Sequence, residues 1–214
     1  QAQAAIRAGM EIGQSLPGNV LAFAGLGVGS HESAALILSR LTGAPVRELL
    51  LAHPQMDTNL LTHLLAVTQS AQARHRDVAD PVEVLAAFGG FDIAMMTGAM
   101  LVAAGRRHLI MVDGLPACAA VMVASRIAAP VIDYCVFCRS HSHQGLDYAL
   151  NLFHSSALLE LGMESTDGTG ATLAWPLVRA AASLLTEVAE GEDPGPSRLG
   201  DLATSPDPAP AADA

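Results

Sequence analysis

The 214-residue chain is 51% apolar and only 15% charged, a balance that excludes a disordered polymer and supplies enough apolar surface for one sizeable core. A formal charge of −10, with eleven scattered basic residues, excludes a reader of phosphate backbones, so no nucleic-acid partner is expected. The two long apolar stretches, 86–105 and 119–138, are broken by Asp92 with four glycines and by Arg126 with Asp133, so no membrane span is expected either.

In chain order, the start shows no basic-then-apolar leader, and three cysteines do not make a disulfide framework. Cytoplasm is therefore the expected compartment. Residues 20–24 read as a strand, followed by the turn Gly25-Leu26-Gly27-Val28-Gly29-Ser30 and a helix over 31–41, with Ser30 placed to cap it. Helices are predicted near 57–73, 81–88 and 91–106. A second strand, 108–112, ends in Asp113-Gly114 and enters a helix with Pro116 in its first turn. A third strand is predicted over 131–137. The last helix follows Asp167-Gly168-Thr169-Gly170 and runs to about 189, bent or restarted at Pro176. Strands alternating with Ala-rich helices predict an α/β fold, a parallel sheet flanked by helices in Rossmann-like layers. One domain is expected over 1–190. Residues 191–214, holding five of the twelve prolines, are expected to form a disordered Pro/Ala/Asp-rich tail.

Four places carry possible chemistry. The Gly25 to Ser30 turn lets a ligand approach the backbone, and its N–H groups with the following helix dipole favour an anion such as phosphate. Its glycines serve a purely structural tight turn equally well. Asp113-Gly114 lies at a strand's carboxyl end, where open α/β sheets place ligands, although an Asp-Gly pair is also ordinary turn chemistry. Asp167, in a loop of small residues, reads either as a general base or, more simply, as the start of a helix. The cluster Cys135, Cys138, His141 and His143 offers four soft or borderline ligands within nine residues. On a strand the two cysteines point to opposite faces, and the His-x-His arm is short for zinc, so no metal is expected there.

Residues 79–94, ADPVEVLAAFGGFDIA, continuing through Met96, Gly98, Ala99 and Met100, resemble the nicotinate-nucleotide:dimethylbenzimidazole phosphoribosyltransferase family. The resemblance extends to Ala5-Ile6-Arg7-Ala8-Gly9-Met10-Glu11, the Leu26-Gly27-Val28-Gly29 turn, Val112-Asp113-Gly114 and Gly168-Thr169-Gly170-Ala171. It implies transfer of ribose phosphate from nicotinate mononucleotide to a benzimidazole lower base in cobamide (vitamin B12) synthesis, by a homodimer that needs no cofactor. It also implies that the mononucleotide lies against Gly25, Leu26, Gly27, Gly29, Ser30, Asp113, Gly114 and His141, and that Asp167 holds the place of the catalytic glutamate in the family's Gly-Glu-Gly-Thr-Gly motif.

The chain departs from that pattern at several positions. Gly25 stands where the family turn is acidic, Ser30-His31-Glu32 replaces Asn-Thr-Thr, Leu64 replaces a basic residue, and 138–143 replaces a Ser-His-Arg-Ser-Ala-Glu loop. Asp for Glu withdraws the carboxylate by one methylene, about 1.5 Å, where a misplacement near 1 Å costs on the order of 100-fold. The family portion that contributes much of the base pocket has no counterpart among these residues. The other reading is accordingly a catalytically silent nucleotide-binding or partner subunit of the same fold.

Overall fold

The computed structural model describes residues 1–190; the tail expected over 191–214 lies outside the described residues. Strands β1 (Val20–Ala24), β2 (Leu109–Asp113) and β3 (Cys135–Cys138) pair in parallel in the order β1-β2-β3. The central strand reads Leu-Ile-Met-Val-Asp, and Ile110, Met111 and Val112 are buried. Such an unbroken apolar run belongs to a parallel strand covered on both faces. Ala24 lies opposite Asp113, and Asp113 opposite Cys138. The chain thus leaves all three strands at one edge, and the loops that follow converge there.

Helices fill the connections: α1 (Ala2–Ser15), α2 (Ser30–Thr42), α3 (Val46–Leu50), α4 (Thr58–Arg74), α5 (Pro81–Phe88), α6 (Phe91–Gly105), α7 (Leu115–Ile127), α8 (Gln144–Leu152) and α9 (Thr169–Glu190). Asp57 caps α4 by accepting from the Asn59 N–H, and Asp80 caps α5 through Val82 and Glu83. Helix α7 is buried from Leu115 to Ala124, and its alanines leave little side chain between it and its neighbours. Helices α1 and α6 cross at Gly9 and Gly98. A Cβ on Gly98 would overlap the Ile6 carbonyl, and one on Gly9 the Met95 carbonyl. That crossing accounts for the glycine of the Ala5 to Glu11 segment.

Residues Gln1–Trp175 form one compact unit, and the chain from Pro176 counts as a second. Helix α9 continues through Pro176 rather than restarting there. The strand expected over 131–137 is shorter. Pro130 fixes its own φ and starts a 3-10 turn, Ala129–Tyr134, and β3 begins only at Cys135. The second strand begins at Leu109 and extends through Asp113, one residue later at each end than the sequence suggests. Helices α1, α3 and α8 add to the elements expected. Among the described residues, no helix is long and apolar enough to cross a membrane.

Candidate functional site

The three strand ends deliver Gly25 to Gly29, Gly114, and Arg139 to His143 to one edge, where the loop before α9 closes over them. Asp113 is fully buried, and its Oδ2 accepts from Ser140 Oγ (2.7 Å) and from the Gly168 and Ala171 N–H groups (both 2.9 Å). Ser140 Oγ in turn accepts from the Gly170 N–H at 2.8 Å. The first amides of α9, orphaned in any helix, are therefore satisfied by β2 and by the loop after β3. This assigns the capping role to Asp113. The simpler expectation for Asp167, a helix-start residue, is corrected: its carboxylate makes no hydrogen bond.

Asp167 instead turns toward the strand edge. Its side chain is only 3% exposed, yet both oxygens lack a hydrogen-bond partner. The left-handed Gly114 (φ 88°) makes room for it, since a Cβ there would overlap the carboxylate. His141 Nδ1 stands 3.3 Å from Oδ1, and His31 Nε2 stands 3.8 Å from Oδ2. The adjacent Asp167 carboxylate raises the His141 pKa above the ordinary histidine value, with burial opposing and Glu164 and Asp113 adding to the rise. His143 goes the other way, to about 4, through burial and the neighbouring His31 and His141. Its neutral Nδ1 accepts from the Leu146 N–H at 3.1 Å and caps α8.

Across from Asp167 lies the glycine turn. Gly29 is left-handed (φ 77°) and takes the N-cap position of α2, with no side-chain cap. The expectation that Ser30 caps this helix is corrected. Ser30 is already inside α2, and its buried hydroxyl donates to Asp92 Oδ2. Packing against that pair explains Gly27, where a Cβ would overlap Ser30 Oγ, while one on Gly25 would press into Pro116. Leu26 is 71% exposed beside them. An open cavity of about 430 Å³ is bordered by Gly25, Leu26, Gly27, His31, His141 and Asp167, together with Glu164, Ser165 and Thr166. Another of about 440 Å³ near Leu85, Gly89 and Phe91 carries no titratable side chain, and one of about 470 Å³ is lined by Arg40, Arg76, Asp77 and Arg126; the first is the one that lies at the carboxyl ends of the strands, where open α/β sheets place ligands.

Of the residues singled out from sequence, Gly25, Leu26, Gly27, His141 and Asp167 border this cavity. Asp113 and Gly114 lie beneath it as supports, and Ser30 is committed to Asp92. Cys135 and Cys138 hold apart from the histidines, with thiols directed to the Val131 and Val136 carbonyls. Burial lifts both to about 12. Sequence reasoning missed His31, whose only signal was its place in the first turn of a helix after a glycine loop. It also missed Ser140, which nothing local distinguishes.

Residues 1–195 match the DBI_PRT phosphoribosyltransferase family. The chain belongs to that family. Among similar proteins is the nicotinate-nucleotide--dimethylbenzimidazole phosphoribosyltransferase of Cupriavidus taiwanensis, 41% identical over 192 residues, covering 88% of this chain and 56% of that protein. The similarly named protein of Janthinobacterium is 36% identical over 195 residues, covering 90% and 56%. The crystal structure of CobT from Thermus thermophilus superposes with a TM-score of 0.77 at 28% identity, covering 86% of this chain and 56% of that one. The chain spans about half the length of the curated relatives it matches. Within this phosphoribosyltransferase fold, the position expected to be basic, Leu64, packs against the apolar core from α4. Arg139 in the loop after β3 is held by Glu160 and Asp147.

Proposed function

We propose that this chain is the phosphoribosyl-transferring portion of its family, moving ribose phosphate from nicotinate mononucleotide to a benzimidazole-type lower base in cobamide synthesis. One observation carries the reading: Asp167, a buried carboxylate with no hydrogen-bond partner on either oxygen, borders the same cavity as Gly25, Gly27 and His31, the last in the first turn of a helix without a side-chain cap. The open first-turn amides of α2 suit the phosphate. Gly25, Leu26, Gly27 and Gly29 present backbone to the ribose phosphate, Gly114 and Asp113 seat the catalytic loop, and His141 faces the same space.

In the reaction, the anomeric carbon–nitrogen bond to nicotinate breaks as a bond to the benzimidazole nitrogen forms, and Asp167 takes the proton from that nitrogen. The reading includes a homodimer in the cytoplasm and a base pocket completed by residues outside this chain. Nicotinate release from the mononucleotide on addition of dimethylbenzimidazole tests it. Asp167→Asn should lose exchange while keeping nucleotide binding by calorimetry, because the amide keeps the shape and cannot accept the proton. Asp167→Glu should raise the rate by restoring reach. A chain that binds nucleotide but shows no exchange in either the wild type or Asp167→Glu would instead be a silent binding subunit.

A further inference from the structure

Asp167, His31 and His141 meet from three separate segments, and nothing in the transfer chemistry requires two imidazoles on one carboxylate. Asp167 is nearly sealed from solvent, and neither oxygen has a hydrogen-bond partner; His141 Nδ1, buried beside it, has none either. A buried carboxylate whose only nearby cationic groups are two imidazoles, at 3.3 and 3.8 Å and without a hydrogen bond to either, is incompletely compensated. No lysine or arginine completes the pairing, since all eleven Lys and Arg positions are arginines and the nearby Arg139 is engaged by Glu160 and Asp147.

We propose that His31 Nε2, His141 Nδ1 and Asp167 bind a divalent first-row transition ion, with zinc the natural occupant. The candidate ligand atoms all lie within 4.8 Å of one another, and the two pairs involving Asp167 stand at 3.3 and 3.8 Å. Two ligands each about 2.0–2.1 Å from a tetrahedral zinc lie roughly 3.3 Å apart. Modest rotation of His31, whose side chain is 39% exposed, closes the remaining gap. Two nitrogens and one oxygen suit a borderline ion better than magnesium or calcium, which favour all-oxygen sets.

The surroundings brace the ligands. Arg139 Nε donates to the His141 carbonyl at 3.2 Å, a β-bridge joins His141 to Glu164, and the His143 ring packs on His31 with centroids 5.7 Å apart. Three protein ligands leave at least one coordination position, and all three side chains border the cavity that Gly25 and Gly27 also line. Such a position takes water or an anionic oxygen donor.

An ion held on Asp167 ties up the carboxylate that accepts the proton in the transfer reading, so its occupancy would inhibit transfer; the site is tested without nucleotide, so its failure and that of the transfer reading are separable. Full-length protein stripped with chelator is titrated with cobalt(II), then with zinc in competition. The expected result is one ion per chain with visible d–d absorption, weakened at least tenfold by His31→Ala and by His141→Ala and unchanged by Cys135→Ser with Cys138→Ser. Absence of saturable binding at 100 μM cobalt would overturn the proposal, as would His31 and His141 variants that bind like the wild type. If the variants misfold, X-ray absorption at the zinc edge of the wild type decides. Imidazole scattering with only light-atom neighbours near about 2.0–2.1 Å supports the site, and sulfur near about 2.3 Å overturns it.

Discussion

Asp113 shows how one side chain can hold a site that it does not enter. Its Oδ2 gathers a hydroxyl and two amides in a fully buried setting, where bonds to a charged acceptor contribute about 1.5–3 kcal/mol. Asp113→Asn should therefore cost about 2–3 kcal/mol in urea unfolding, because the amide weakens the accepted bonds and brings donors with no partner. Gly114→Ala should cost about 1–3 kcal/mol in the same measurement, combining a left-handed φ with overlap onto Asp167. At this scale the sequence makes the glycine turn and Asp167 visible, because tight turns and a carboxylate among small residues leave local signatures. It misplaces Ser30, whose hydroxyl finds Asp92 in a distant helix. It overlooks His31, which meets His141 only after β1 and β3 are set on either side of β2. Both failures concern partners far away in the chain.

Among elements, the crossing of α1 and α6 reverses the usual rule for helices. Ala is about 1 kcal/mol better than Gly in an exposed helix. Yet Gly98→Ala should lower stability by about 2 kcal/mol or more, because its methyl enters the Ile6 carbonyl; thermal unfolding checks the sign. Strand β3 offers a second test. With Cys135 and Cys138 raised to about 12, chiefly by burial, almost no thiolate exists at pH 8.5. Labelling with a disulfide reagent should run on the order of a thousandfold slower than for an exposed thiol, accelerate as pH climbs toward 12, and become rapid in guanidinium. Helices 57–73, 81–88 and 91–106 follow from their caps and periodicity and match α4, α5 and α6 closely. The short strand β3 does not, because Val131 is as buried in a 3-10 turn as it would be in a strand.

For the molecule as a whole, a charge of −10 with no lysine sets the terms for any anionic ligand. Under the transfer reading, nicotinate mononucleotide is held by backbone amides and a helix end, with no clamp of basic side chains. Its affinity should stay level or tighten between 50 and 500 mM salt in calorimetry, because screening relieves repulsion from the exposed Glu164 and from the chain's net negative charge. A clamp of basic side chains would weaken with salt instead. The loop before α9 has a related property. Asp113 and Ser140 grip it by the amides of Gly168, Gly170 and Ala171, and peptide groups are the same whatever side chain they carry. The residues between and beside those anchors, Thr166, Asp167 and Thr169, can be exchanged without loosening the loop's attachment. A fold fastened in this way can trade one reagent for another, a shorter carboxylate or a new imidazole, while its frame stays put. Chemistry here is free to drift faster than architecture.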